Sequence, residues 1–212
     1  IDTELNLAYL AVETPTSDFF GGHRPGNNLF ANSLVAVDLL TGERKWHYQL
    51  IRHDIWDYDN SSAPLLMNVT VDGKPRKVVA LPTKMNNMYV FDRATGAPVW
   101  PFKETKVEKG SVPGEWYSPT QPIPSKPAAY GRNGVTVDQL IDFTPELRRK
   151  ALEVTKNYKL GPLYTPPVLS TPQQLGTIMM AASGGTNWPG GSFDPETGIA
   201  YVFSCTSCVE SV

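Results

Sequence analysis

Short apolar runs broken by turn-forming residues organise this chain. Leu34-Val35-Ala36-Val37 runs into Asp38-Leu39-Leu40-Thr41-Gly42 and then Trp46. Met88-Tyr89-Val90-Phe91 runs into Asp92-Arg93-Ala94-Thr95-Gly96 and then Trp100. The two copies read Asp-x-x-Thr-Gly-x-x-x-Trp and lie 54 positions apart. Each predicts a strand, a tight hairpin turn and a second short strand carrying the Trp. Asp can bond its own backbone in such a turn, and Gly can take the positive φ it needs. A second repeat, Asp-x-Glu-x-x-x-Ala-Tyr, opens at Asp2 and again at Asp194, and each copy enters a β-rich run.

Periods of roughly 40–50 residues with several short strands each indicate propeller blades. The recurring Trp is expected to pack between neighbouring blades. The pattern divides the chain into two blades over 1–104, an insertion at the propeller rim over 105–175, and part of a further blade over 176–212. A closed propeller needs about four blades or more, so the chain is expected to be a piece of a longer protein. Within the insertion, Ser118 to Pro124 is Pro-rich and expected to be an extended loop. Thr144-Pro145-Glu146 predicts the start of a helix, with Thr144 as cap and Pro145 in its first turn. Leu147, Ala151 and Val154 fall on one face of it.

Composition fits an all-β, loop-rich chain, because 19 Pro and 17 Gly in 212 residues are a heavy load of turn formers. A net charge of −2 without a Lys/Arg cluster argues against a nucleic-acid partner. No apolar run is long enough to span a bilayer. Cys205-Thr206-Ser207-Cys208 is a single CxxC lacking the further ligands of a zinc site and the βαβ context of a thioredoxin site, so two ordinary cysteines, free or paired, are expected.

Candidate chemistry concentrates in His53-Asp54-Ile55-Trp56-Asp57-Tyr58-Asp59. In an extended segment, Asp57 and Asp59 share a face. Two carboxylates placed together suit a hard cation, which prefers oxygen ligands. One of them could also serve as a base. An acidic surface turn with buried aromatics is the competing reading. Lys84, in Thr83-Lys84-Met85-Asn86-Asn87, lies at the mouth of the second apolar strand, where a lysine is ordinarily solvated. Gly184-Gly185-Thr186-Asn187-Trp188-Pro189-Gly190-Gly191 allows close backbone approach and offers an amide and a flat indole face. A tight inter-blade loop would have the same composition.

Taken together, these segments resemble the quinoprotein dehydrogenases that use pyrroloquinoline quinone (PQQ). The resemblance rests on Ala31 to Asp38, Thr41-Gly42, Lys45-Trp46, His53 to Asp59, Thr83-Lys84, Phe91-Asp92-Arg93, Ser118 to Pro122, Tyr164 to Pro167 and Gly184 to Trp188, in that order. The layout is most similar to the membrane glucose dehydrogenase branch. It implies part of an eight-bladed all-β propeller with tryptophan-motif blades, PQQ and a metal ion near its axis. It further implies Asp57 as catalytic base, Lys84 in contact with the quinone, and Asn187 and Trp188 at the PQQ pocket. Asp57, Asp59 and Thr14 are the implied metal contacts. Thr14-Pro15 stands where methanol dehydrogenases place Asn before Pro, which favours the sugar or polyol branch. Calcium, a lanthanide or magnesium all fit an Asp at position 59.

The implied reaction is oxidation of an alcohol, polyol or sugar hydroxyl, with electrons leaving to ubiquinone or cytochrome c on the periplasmic side of a bacterial membrane. A chain lacking the rest of the propeller is expected to be inactive alone. A non-catalytic propeller scaffold would show the same blade repeats, but it has no reason to hold Asp57, Asp59, Lys84 and the Asn187-Trp188 loop together. A glycoside-hydrolysing propeller would instead need Asp54 and Asp57 as its carboxylate pair.

Overall fold

The structure is a computed structural model and describes residues 1–180, 184–205 and 209–211. Its strands are β1 (Leu7–Val12), β2 (Ser33–Asp38), β3 (Arg44–Gln49), β4 (Leu65–Val71), β5 (Lys74–Pro82), β6 (Met88–Asp92), β7 (Phe102–Lys106) and β8 (Thr120–Pro124). After them come helix α1 (Pro145–Thr155), β9 (Tyr158–Lys159), β10 (Gly176–Met180), β11 (Gly191–Asp194), β12 (Ile199–Val202) and β13 (Val209–Ser211). Two antiparallel three-stranded meanders, β1-β2-β3 and β4-β5-β6, form the frame. Hairpins β7-β8 and β11-β12 and the small sheet β9-β10-β13 complete the described strands.

The turn chemistry is local and acts as its residue types dictate. Asp38 Oδ1 accepts from the Leu40 and Thr41 amides, and Asp92 Oδ1 from Ala94 and Thr95. Gly42 and Gly96 then close the turns at φ +72° and +71°. Asp2 and Asp194 cap their own turns in the same way.

Strand β5 shows why the sheets stack. Val79 and Leu81 join a core with Leu7, Tyr9, Leu34, Ala36 and Trp46 of the first meander. Val78 and Ala80, on the opposite face, join a second core against which Phe193, Ala200 and Val202 of the β11-β12 hairpin pack. A sheet buried on both faces between two others is blade stacking. The molecule is mostly β, with little helix and with sheets that do not close into a ring. Trp46 is the packing residue expected between the meanders. It is buried, tilts against Tyr9 and Phe91, and donates its Nε1–H to the Arg93 carbonyl at 3.1 Å.

Two expectations change. Trp100 does not lie on a strand; it sits between Pro98 and Pro101, which lack the N–H groups a ladder requires, and β7 starts only at Phe102. The Pro-rich segment is not a loop throughout, because Thr120–Pro124 pairs with β7 as an edge strand. Pro122 is tolerated there because its backbone faces away from β7, its carbonyl accepting from Tyr89 Oη at 2.9 Å. Helix α1 forms as expected, with Thr144 Oγ1 accepting from the Leu147 amide at 3.2 Å, but none of its residues is buried. Its stability therefore rests on capping more than on packing.

Candidate active site

The turn between β3 and β4 is built around Asp54. This carboxylate is buried and accepts from the Trp56 amide through Oδ1 and from the Tyr58 amide and Asn32 Nδ2 through Oδ2, at 2.8, 2.8 and 2.9 Å. Burial raises its pKa despite these bonds. Asp54 is therefore spent on folding the turn. The Trp56 and Tyr58 rings are buried against Tyr164, and Trp56 Nε1 donates to the Thr165 carbonyl at 2.8 Å. The aromatic residues thus clamp the turn to the segment after α1.

Asp57 and Asp59 do converge, though not as neighbours on an extended strand. Asp57 takes a left-handed backbone with φ +57°, an uncommon conformation for a non-glycine residue. The convergence is organised by Lys84. Its Nζ donates to Asp59 Oδ2 at 2.7 Å and to the Asp57 carbonyl at 3.0 Å, and lies 3.6 Å from Asp57 Oδ2. Lys84 is only 4% exposed, so it is not the solvated turn lysine its local sequence suggests. An ammonium buried with two carboxylates has its charge compensated by them. Burial nevertheless dominates at Asp57, pushing its pKa up to about 7; Lys84 pulls it down and Asp59 pushes it further up.

The remaining predicted positions surround this triad. The Thr14 amide donates to Asp59 Oδ1 at 2.9 Å, while the Thr14 hydroxyl is buried beside the Asp54 carboxylate, whose charged form it favours. The glycine-rich loop packs on the Lys84 turn: a Cβ on Gly185 would lie 1.9 Å from the Lys84 carbonyl oxygen, and Gly185 has φ +61°. Glycine is required there on both counts. The Thr186 amide donates to the Thr83 carbonyl at 3.1 Å, and Tyr130 Oη bonds Thr186 Oγ1 at 2.7 Å. Asn187 Oδ1 accepts from Ser61 Oγ at 2.9 Å, two positions beyond Asp59. Trp188 is 82% exposed and presents an open ring.

Ser61 and Tyr130 are site-building residues that no local pattern marks, with partners 126 and 56 positions away; Asn32 and Thr165 lie in stretches that carry the resemblance, but their bonds reach partners 22 and 109 positions away. A cleft of about 800 Å³, lined by Asn68–Thr70, Pro75–Lys77 and Pro195–Gly198, holds none of the site residues. The site is marked by its charges, Lys84 against Asp57 and Asp59. Cys205 is disulfide-bonded and pairs through its backbone with Gly185, at the base of the same loop; Cys208 lies outside the described residues.

Residues 1–210 match the family model described as the PQQ glucose/ethanol/alcohol dehydrogenase β-propeller domain. The chain is 31% identical over 206 residues to a probable quinate dehydrogenase (quinone) of Xanthomonas campestris pv. juglandis, covering 94% of this chain and 25% of that protein. It is 38% identical over 123 residues to the quinoprotein glucose dehydrogenase of Escherichia coli K12, covering 58% of this chain and 16% of that protein. Among solved structures, a quinohemoprotein alcohol dehydrogenase of Pseudomonas putida HK5 aligns over 95% of this chain and 24% of its own, with 31% identity and a TM-score of 0.54. The chain thus spans a quarter or less of the length of these relatives. The repeated turns, the stacked sheets and this match over nearly the full chain agree: the chain belongs to the PQQ glucose/ethanol/alcohol dehydrogenase family, as part of its β-propeller domain.

Proposed function

We propose that this segment carries the proton-accepting base of a PQQ-dependent dehydrogenase that oxidises a hydroxyl group of an alcohol, polyol or sugar. The observation that carries the reading is the buried Lys84 held against Asp59 at 2.7 Å and Asp57 at 3.6 Å, with Asp57 poised at about 7. A general base works best with a pKa near the operating pH. Asp57 takes the proton of the substrate hydroxyl onto its carboxylate. Asp59 and Lys84 keep that carboxylate in place.

The donors in this segment fit the family's cofactors in part. PQQ is a flat, anionic quinone; the exposed Trp188 ring offers a face, the Asn187 amide offers donors, and Lys84 is the buried cation nearest the base. Bound PQQ would supply the two-electron acceptor that side chains cannot provide. Asp57 and Asp59, with Thr14 bonded to Asp59 through its amide, offer oxygen donors suited to a hard cation such as calcium, magnesium or a lanthanide. Among the described residues no group of three His, Cys, Asp or Glu converges as a metal site, so this segment would hold only part of the ligand set. The Thr14-Pro15 step and the likeness to glucose and quinate dehydrogenases support a sugar or polyol substrate. Ubiquinone or cytochrome c is the fitting electron acceptor, and the periplasm the fitting location. A scaffold propeller would not need a buried lysine between two carboxylates.

The test is a PQQ titration of the full-length enzyme with calcium or a lanthanide, following dye reduction with glucose, quinate and simple alcohols. Asp57→Asn is expected to lower kcat by at least about 100-fold, the usual weight of a general base, while PQQ still binds. Undiminished turnover in that variant would remove Asp57 from the role, and absence of PQQ binding under every cation would leave the scaffold reading.

A further inference from the structure

His53 opens the turn that presents Asp57, and none of its chemistry is used by the reaction proposed above. Its side chain is fully buried and meets Glu115, whose side chain is 2% exposed, from the loop between β7 and β8. Nδ1 faces the Gly26 carbonyl at 2.9 Å, and Nε2 faces Glu115 Oε1 at 2.8 Å. Glu115 also accepts the Trp116 amide through Oε1 and the Gly21 amide through Oε2, at 2.8 and 2.6 Å. The Trp116 ring packs edge-on against the imidazole at 4.8 Å between centroids. A Cβ on Gly21 would come within 2.6 Å of His53 Nε2, so the absence of a side chain at Gly21 is a requirement of this pair.

Three chain segments therefore meet at one imidazole: the β1–β2 loop through Gly21 and Gly26, the β7–β8 loop through Glu115, and the turn bearing Asp57. His53 itself has φ +51°, as Asp57 has +57°, so the turn begins and presents its carboxylate through two left-handed non-glycine residues. Such conformations persist only where the surroundings over-determine them. Asp54 and Lys84 hold the middle and the end of the turn. At its start the holding contacts are those of His53, the His53 amide to the Asn27 carbonyl at 3.2 Å, and Arg24, whose Nη2 donates to the Asp54 carbonyl at 2.6 Å.

We propose that the buried His53–Glu115 pair is a positioning device that sets the placement of Asp57, so that the β7–β8 loop takes part in catalysis without touching substrate. The inference rests on Asp57 being the base. Misplacing a reacting group by about 1 Å costs on the order of 100-fold in rate. In the full-length holoenzyme, Glu115→Ala is expected to lower kcat by about that factor with KM held within about twofold, because the pair makes no substrate contact. PQQ affinity is expected to be retained. Glu115→Gln, which keeps an acceptor for His53 Nε2, is expected to recover most of the loss. In the apo enzyme, deuterium exchange is expected to quicken over 53–59 in Glu115→Ala.

Retained kcat in Glu115→Ala together with a lowered melting temperature would overturn the proposal and leave the pair a plain packing element. Should Glu115→Ala fail to fold, Gly21→Ala presses on the imidazole without removing a charge, and unchanged kcat there would overturn it equally. If the wild-type enzyme shows no PQQ-dependent turnover, the functional reading fails separately. The exchange measurement then decides the pair alone: faster exchange over 53–59 supports it, and unchanged exchange rejects it.

Discussion

Asp57 sits among opposing influences: burial and Asp59 favour its protonated form, Lys84 its charged form, and burial outweighs the ammonium. The consequence for stability has a definite sign. With a folded pKa of about 7 against about 3.9 for an unfolded Asp, the folded protein holds the proton more tightly between those values. The stability this group contributes is complete below about pH 4 and is lost as pH rises through about 7. The melting temperature of the metal-free enzyme is therefore expected to fall between pH 5 and pH 8, and Asp57→Asn to flatten that fall; an identical slope in the variant would contradict the assignment. At this scale the sequence marks Asp57 and Asp59 as candidates through residue type and spacing, and Lys84 through the family resemblance. It gives no sign that Asp54 is consumed by its own turn, since that depends on the burial of the turn and on Asn32, 22 positions away.

The elements show the same division between local and distant causes. Each Asp-x-x-Thr-Gly turn is legible because its bonds span two or three residues. Trp46 is legible as a packing residue but its partners are not. Its ring fills the space over Gly96, where a Cβ would approach to 2.5 Å, and so locks the turn of the second meander to the third strand of the first. Trp46→Ala is expected to destabilise by about 3–5 kcal/mol, read as a lower urea midpoint at unchanged m-value. Gly185→Ala adds a Cβ into the Lys84 carbonyl at a positive φ. It is expected to weaken PQQ binding more than it lowers the melting temperature, because it displaces the Lys84 turn and leaves the strands of both meanders in place; a PQQ titration beside a thermal melt checks the order of the two effects. Helix α1 is the element read most fully in advance, since its cap and first-turn proline act within one turn of chain.

Across the whole molecule, sheets that do not close leave apolar surface open. Ile199, Tyr201 and Phe203 project from the β12 segment at 47–55% exposure, and Leu10 of β1 is 48% exposed. In a stacked propeller such faces meet the next sheet. Expressed alone, residues 1–212 are expected to self-associate and to show no PQQ-dependent dye reduction; sedimentation velocity and the dye assay check both. A monodisperse, active segment would mean that the site closes without further blades.

The sequence by itself determined what acts over a few residues: the hairpin turns, the capped helix, and the family through the order of its motifs. Tertiary structure alone decided that Lys84 is buried between Asp57 and Asp59, that Asn187 is held by Ser61, and that His53 meets Glu115. These pairs are separated by 25 to 126 positions. Burial, which sets the Asp57 proton affinity and the value of every one of these hydrogen bonds, is a property of the packed chain and has no local spelling.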